Sequence, residues 1–140
     1  MLSASAQIQP PHRSIATILL IDENALNSQL TEMTLTGARY RVRTTSSPAG
    51  GEKIILSGGI HAVVAHLSAH GAITQTIEFL TRLRATPATT RLPVIIVTGE
   101  RQPEVLASVK AAGASAILKR PYHQQELLDL IKQCLEDTQA

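Results

Sequence analysis

Apolar residues fall along this chain in short runs separated by longer amphipathic stretches. The sharpest run is Thr17-Ile18-Leu19-Leu20-Ile21, which stops at Asp22 and Glu23. It is too short for a typical helix and too continuous for a half-exposed strand. It reads as a strand buried on both faces, as in a parallel sheet. Ala62-Val63-Val64-Ala65-His66-Leu67 and Pro93-Val94-Ile95-Ile96-Val97 repeat the pattern, the latter ending at Thr98-Gly99. Ala116-Ile117-Leu118 is a shorter version closed by Arg120-Pro121. Arg39-Tyr40-Arg41-Val42-Arg43 alternates strictly instead, which predicts an edge strand with one covered and one wet face.

Helical spacing fills the gaps. Asn24 can cap a helix with Leu26, Leu30 and Met33 on one face, ending near Gly37. Ser47-Pro48 pairs a cap with Pro at the first helical position, and that helix stops at Gly58-Gly59. Ile73, Ile77, Leu80 and Arg84 mark a third helix, with Phe79 and Leu83 widening its apolar side, followed by a loop from Pro87 to Arg91. Pro103 to Ala112 turns Val105, Leu106 and Val109 inward and ends at Gly113. Gln124 to Glu136 is the last helix. Strand and helix thus alternate five times, which predicts an α/β fold with a parallel sheet, helices on both faces and right-handed crossovers. Met1 to Ser14, with its Pro10-Pro11 pair and no periodicity, reads as a flexible leader to a domain at 15–138.

Composition narrows the function. A length of 140 residues suits one domain, and the scarcity of aromatics leaves the core to Ile, Leu, Val and Ala. The net charge of +2 is a near balance, so neither a basic tract nor the Arg39, Arg41, Arg43 stripe, which lacks aromatic interleaving, argues for nucleic acid. The single Cys134 rules out an intrachain disulfide and fits a reducing compartment. No apolar run approaches the roughly 18 residues that span a membrane, and the N-terminus lacks signal-peptide regions, so the expectation is a cytoplasmic protein. No Gly-x-Gly-x-x-Gly follows the first strand and no Gly-x-x-x-x-Gly-Lys-[Ser/Thr] occurs, so no nucleotide cofactor is expected.

Asp22 and Glu23 stand at the carboxyl end of the first strand, the edge where open α/β sheets bind ligands. Two carboxylates there suit a divalent cation or a cationic partner. They also suit the first turn of the next helix, where negative charge complements the dipole.

Leu20-Ile21-Asp22-Glu23-Asn24, Leu92 to Thr98, Gly113-Ala114 and Leu118-Lys119-Arg120-Pro121-Tyr122 together resemble the receiver domain of two-component response regulators. The resemblance runs from about Ala16 to Leu135. It implies a (βα)5 flavodoxin-like fold with strand order 2-1-3-4-5. It also implies a signalling role in which an aspartate ending the third strand accepts a phosphoryl group. In such domains an acid pair holds Mg²⁺, while a Ser or Thr after the fourth strand and a Lys before a Pro after the fifth bind phosphoryl oxygens. That set neutralises a highly anionic group as it moves. Asp22 and Glu23 match the acid pair, Thr98 the hydroxyl and Pro121 the proline. His66, however, stands in the acceptor place, Arg120 in the lysine place and Ile117 in that of the aromatic switch residue. Lys119 is one residue off and should point away. No Asp lies between Asp22 and Asp129, and Glu52 and Glu78 fall in helices, so no register supplies the third strand with a carboxylate.

His66 can be read as a phosphoacceptor, as a transition-metal ligand with Asp22 and Glu23, or as filler of a pocket without chemistry; filler is the expectation. His61 and His70 have no recognised metal spacing with it. Arg120, with its planar fork, is expected to pair with Asp22 or Glu23 where Mg²⁺ would sit. The expected function is that of a receiver-like domain without aspartate phosphorylation, not an enzyme, serving as a protein-interaction or dimerisation module. The alternative is a ligand- or metal-responsive switch using the old acidic pocket. Its partner would be a protein, an output domain or a second copy meeting the last two helices. Leu127, Leu130, Ile131 and Cys134 belong to an apolar arc of roughly 160° on the last helix, wider than the roughly 100° a core needs. Leu130, at the arc's edge, is expected to be exposed.

Overall fold

The apolar runs and amphipathic stretches become elements at nearly the expected places. The computed structural model describes residues 15–67 and 73–139, so the leader and His70 lie outside the described residues. Its elements are β1 (Thr17–Ile21), α1 (Ala25–Gly37), β2 (Arg41–Thr45), α2 (Pro48–Leu56), β3 (Ala62–Leu67), α3 (Ile73–Ala85), β4 (Val94–Thr98), α4 (Pro103–Ala112), β5 (Ala116–Lys119) and α5 (Gln124–Gln139). The strands form one sheet in the order β2-β1-β3-β4-β5, every pair parallel. This is the flavodoxin-like receiver fold.

Strand periodicity divides the core into two layers. Leu19, Ile21, Val63, Ala65 and Ile96 turn to one face and meet Ile55 of α2, Phe79, Leu80 and Leu83 of α3 and Val109 of α4. Ile18, Leu20, Val64, Ile95 and Val97 turn to the other and meet Leu35 of α1 with Leu127 and Ile131 of α5. The central strands are buried on both sides, which is why they read as continuous apolar runs. Each such side chain contributes about 1.5–3 kcal/mol by leaving water. Truncating Ile95, fully buried at the centre, to Ala would cost about 2–5 kcal/mol.

Local chemistry sets the helix starts. Asn24 caps α1, its Oδ1 accepting from Asn27 N at 2.9 Å. Ser47 caps α2, its Oγ accepting from Gly50 N at 3.1 Å, with Pro48 next. Gly113 ends α4 at φ 123, where an L side chain would be strained.

Several helix faces differ from the pattern-based expectation. In α1, Thr31 and Leu35 face inward, and Leu26, Leu30 and Met33 are exposed at 66%, 54% and 68%. At about 100° per residue those three lie on nearly the opposite side from Leu35. The inward face is partly polar because α1 borders the carboxyl ends of the strands. In α3 the buried set is Thr76, Phe79, Leu80 and Leu83, with Ile73, Ile77 and Arg84 at its margins. In α4 only Val109 is fully buried, while Val105 and Leu106 are half-covered. In α5, Leu127 and Ile131 are fully buried in the core, so these two cannot belong to a partner face. Their spacing of four puts both on the stripe that meets β1, β3 and β4. Leu130 and Cys134, expected with them, are half-buried rather than exposed. β2 begins at Arg41, because Arg39 sits in the turn after α1 at φ 75. It is an edge strand, as its alternation predicts, with Arg41 and Arg43 exposed and Val42 packed against the core. No helix among the described residues is long and apolar enough to cross a membrane.

Candidate functional site

Parallel strands place all their carboxyl ends on one edge of the sheet, and the connections there assemble the site. Ile21 pairs with Ala65, His66 with Val97, and Thr98 with Lys119. Asp22, His66, Thr98 and Arg120 are thereby gathered from four strands, as the sequence predicts. Backbone hydrogen bonds hold the frame: Asp22 N donates to Thr45 O at 3.0 Å and Arg120 N to Thr98 O at 2.9 Å.

Asp22 is buried at 6% exposure, and its Oδ1 accepts from Asn24 N at 2.9 Å. That bond ties the acid to the start of α1. Its Oδ2 lies 3.6 Å from His66 Nδ1, too far for a hydrogen bond. The His66 Nδ1 instead lies 3.1 Å from an Arg120 terminal nitrogen. A guanidinium only donates, so Nδ1 accepts and the imidazole proton belongs on Nε2. Burial holds the His66 pKa below its ordinary value; Asp22 pulls it up and Arg120 pushes it down further. The imidazole is therefore neutral at pH 7.

Arg120 was expected on a carboxylate, and the geometry corrects this. Neither Asp22 nor Glu23 forms an ion pair with it; its side-chain contact is His66. The reason is reach: an imidazole extends farther from the backbone than a carboxylate and meets the guanidinium first, while one Asp22 oxygen is occupied by Asn24. Three buried atoms of the site have no hydrogen-bond partner among the described residues: Asp22 Oδ2, His66 Nε2 and Arg120 Nε.

The other expected residues play smaller parts. Glu23 is exposed. Thr98 is completely buried, and its Oγ1 accepts from Glu100 N at 2.9 Å, which shapes the β4–α4 connection. Lys119 is exposed, as its place in the strand predicts. Pro121 follows a cis peptide bond, and Ile117 is half-buried against the α3–α4 layer. Among the described residues no three His, Cys, Asp or Glu side chains come together as a metal would require. Asp22, Glu23 and His66 are not grouped in that way. Mg²⁺ fits no better, since one buried carboxylate faces an imidazole and a guanidinium instead of further oxygens.

Sequence reasoning missed Thr31 and Tyr122. Burial raises the Tyr122 pKa; the Arg120 charge and the neighbouring Thr31 side chain lower it, and Asp22 raises it. The available signal was the polar series Asn24, Asn27, Thr31 and Thr34 at helical spacing, which marks a face of α1 turned to a polar site.

The chain was compared with known proteins. The family model described as response regulator receiver domain matches residues 18–132. No curated protein matches in sequence. Among solved structures, a chain from Chloroflexus aurantiacus J-10-fl assigned as a response regulator is 26% identical, with a TM-score of 0.77 over 88% of this chain and 99% of that one. A CheY-like receiver domain protein from Methanospirillum hungatei JF-1 is 22% identical, with a TM-score of 0.77 over 90% and 98%. The receiver domain of a sensor histidine kinase from Pseudomonas aeruginosa PAO1, with a magnesium ion coordinated in its active-site cleft, is 19% identical, with a TM-score of 0.76 over 88% and 99%.

Proposed function

The chain belongs to the response regulator receiver family of two-component signalling, and within it we propose that this domain keeps the fold and has given up aspartate phosphorylation. The observation that carries this reading is the His66–Arg120 contact at 3.1 Å, in a strand with no carboxylate. A receiver must gather an oxygen nucleophile, a divalent cation and a free ammonium around the incoming phosphoryl group. Here the nucleophile's place holds a neutral imidazole whose Nδ1 is engaged by a guanidinium and whose Nε2 is buried. The ammonium's place is taken by the Arg120 guanidinium, which the chain itself engages on His66 and whose positive charge repels Mg²⁺. Asp22, Glu23, Thr98 and Pro121 are then remnants of the older pocket.

Receiver domains are signalling modules that work through protein partners or output domains. This one is read as a cytoplasmic interaction module and not an enzyme. Its partner face is the accessible part of α5 and β5, where Leu118, Glu126, Asp129, Leu130 and Gln133 line a shallow depression of about 300 Å³. The decisive test is intact mass after incubation with a small-molecule phosphodonor and Mg²⁺. No phosphoryl adduct is expected. A stoichiometric gain of one phosphoryl group mapped to His66 overturns the reading.

A second reading is favoured by the unpartnered Asp22 Oδ2, His66 Nε2 and Arg120 Nε. Buried hydrogen-bonding groups left unused are rare in settled cores. They support a pocket remodelled to respond to a ligand.

A further inference from the structure

Arg120 and His66 also line a second cleft, which adjoins the acidic pocket of Asp22 and Glu23 and shares Asn27, His66 and Arg120 with it. This cleft runs between α1 and the start of α5 and has a volume of about 250 Å³. Asn27, Thr31 and Thr34 line it from α1, and Tyr122 and Gln124 from the other side. Leu30 and Leu127 supply an apolar wall. Among the described residues no Asp or Glu lines it, so its one formal charge is the Arg120 guanidinium. Arg120 Nε is buried and has no acceptor among the described residues, and the His66 side chain is only 6% exposed.

We propose that this cleft binds a small monocarboxylate. The carboxylate accepts from Arg120, the short carbon chain lies along Leu30, and a hydroxyl substituent meets Thr31 or Thr34. Three features select this class. A planar carboxylate matches the guanidinium fork. One positive charge neutralises one negative charge, whereas a phosphate dianion would add unmatched charge near Asp22, whose Oδ2 is 3.6 Å from His66 Nδ1. The volume, about 250 Å³, lies below the roughly 300–1,000 Å³ of sites for drug-sized ligands and suits a small one. A charged acceptor outcompetes a neutral imidazole, so binding draws the guanidinium off His66 Nδ1. The proposal rests on the reading of a ligand-responsive pocket and gives that pocket a place and a ligand class.

The test is a titration of the ¹⁵N-labelled chain with sodium butyrate and, separately, inorganic phosphate and butylammonium chloride. Butyrate should give saturable shifts at the amides of Thr31, Thr34, Tyr122 and Gln124, with a change in the His66 ring nitrogens. Phosphate should bind at least tenfold more weakly, and butylammonium should leave these amides unmoved. Arg120→Gln should weaken butyrate at least tenfold. Thr34→Met, which fills the cleft from α1 without touching Arg120, should do the same and decides the matter if Arg120→Gln does not fold. Unchanged affinity in folded variants overturns the site, as does phosphate binding as well as butyrate. Saturable butyrate shifts centred on Asp22, Asn24 and Gly99 also overturn it, yet leave the ligand-responsive reading standing. Absence of any saturable shift overturns the cleft and withdraws support from that reading as well.

Discussion

At the amino-terminal edge of the sheet, Arg84 donates to Gly113 O at 2.8 and 3.0 Å, to the carbonyls of Thr89 and Thr90 at 3.2 Å, and to Ser115 Oγ at 3.4 Å. At the carboxyl edge, Arg120 reaches one neutral side-chain acceptor, His66 Nδ1, and its Nε reaches none among the described residues. Both guanidiniums are partly covered. Arg84 is saturated by three carbonyls and a hydroxyl, and it fastens the loop before β4 to the turn before β5. Arg120 is underused, in a place where the fold asks for nothing. A cation that answers backbone carbonyls belongs to stability; one held among unpaired polar atoms belongs to a site.

The largest effect expected from this contrast is on Arg84. Arg84→Met keeps the aliphatic stem and removes every donor. Hydrogen bonds from a charged group contribute about 1.5–3 kcal/mol, and stranded carbonyls add their own cost, so a loss of about 2–3 kcal/mol is expected in urea unfolding. Gly113→Ala should strike the same joint. At φ 123 an added Cβ would stand 2.6 Å from Arg84 Cγ, so a loss of at least about 1 kcal/mol is expected. A change under about 0.5 kcal/mol in Arg84→Met, the range of an ordinary surface substitution, would break the contrast.

Acid should act at the opposite edge. Burial lowers the His66 pKa in the folded state, and Arg120 reinforces this against the pull of Asp22. The unfolded chain then takes up the proton first, near pH 6.5. Between that value and the depressed folded value the unfolded state binds more protons. The stability due to neutral His66 is thus fully present above about pH 6.5 and is lost as pH falls below it. Unfolding curves at a series of pH values should show this loss, and His66→Gln should remove the part due to His66. An identical acid profile in the folded variant would mean that His66 carries none of it.

Much of the fold could be read from runs and alternation, because burial on both faces of β1, β3 and β4 leaves no polar positions to confuse the pattern. The helix faces were less legible where a helix serves two masters. Leu26, Leu30 and Met33 make the more visible stripe on α1, yet the helix turns Thr31 and Leu35 inward, since its inner side borders a polar cleft and not only a core. On α5 the wide arc hid the fact that only Leu127 and Ile131 among its described residues are fully buried, with Leu128, Leu130, Cys134 and Leu135 half-covered beside them. At the site, strand ends predicted that Asp22, His66, Thr98 and Arg120 would meet. They did not predict who pairs with whom. That choice turns on the few ångströms by which an imidazole outreaches a carboxylate, and on the Asn24 amide that occupies one Asp22 oxygen.

The smallest effect should come from Arg120→Met, and its smallness is what sharpens the contrast. The substitution removes one hydrogen bond to a neutral acceptor, a contribution of about 0.5–1.5 kcal/mol. It also removes a buried donor with no acceptor among the described residues, whose desolvation cost opposes that contribution. The two nearly cancel, so stability at pH 7.5 should change by less than about 1 kcal/mol, against the larger loss in Arg84→Met. The sign on acidification should then separate the variant from the wild type. Arg120 is one of the influences that lower the His66 pKa, and Asp22 the one that raises it. Without the guanidinium, His66 Nδ1 is free to take a proton and close the 3.6 Å gap to Asp22 Oδ2. The folded-state pKa moves up toward the unfolded value, and the acid-induced loss becomes smaller. Urea unfolding of both proteins at pH 7.5 and 5.5 measures this directly. An Arg120→Met protein that is as destabilised as Arg84→Met at pH 7.5, or that loses more stability than the wild type between the two pH values, would show that Arg120 is a structural clamp like its counterpart.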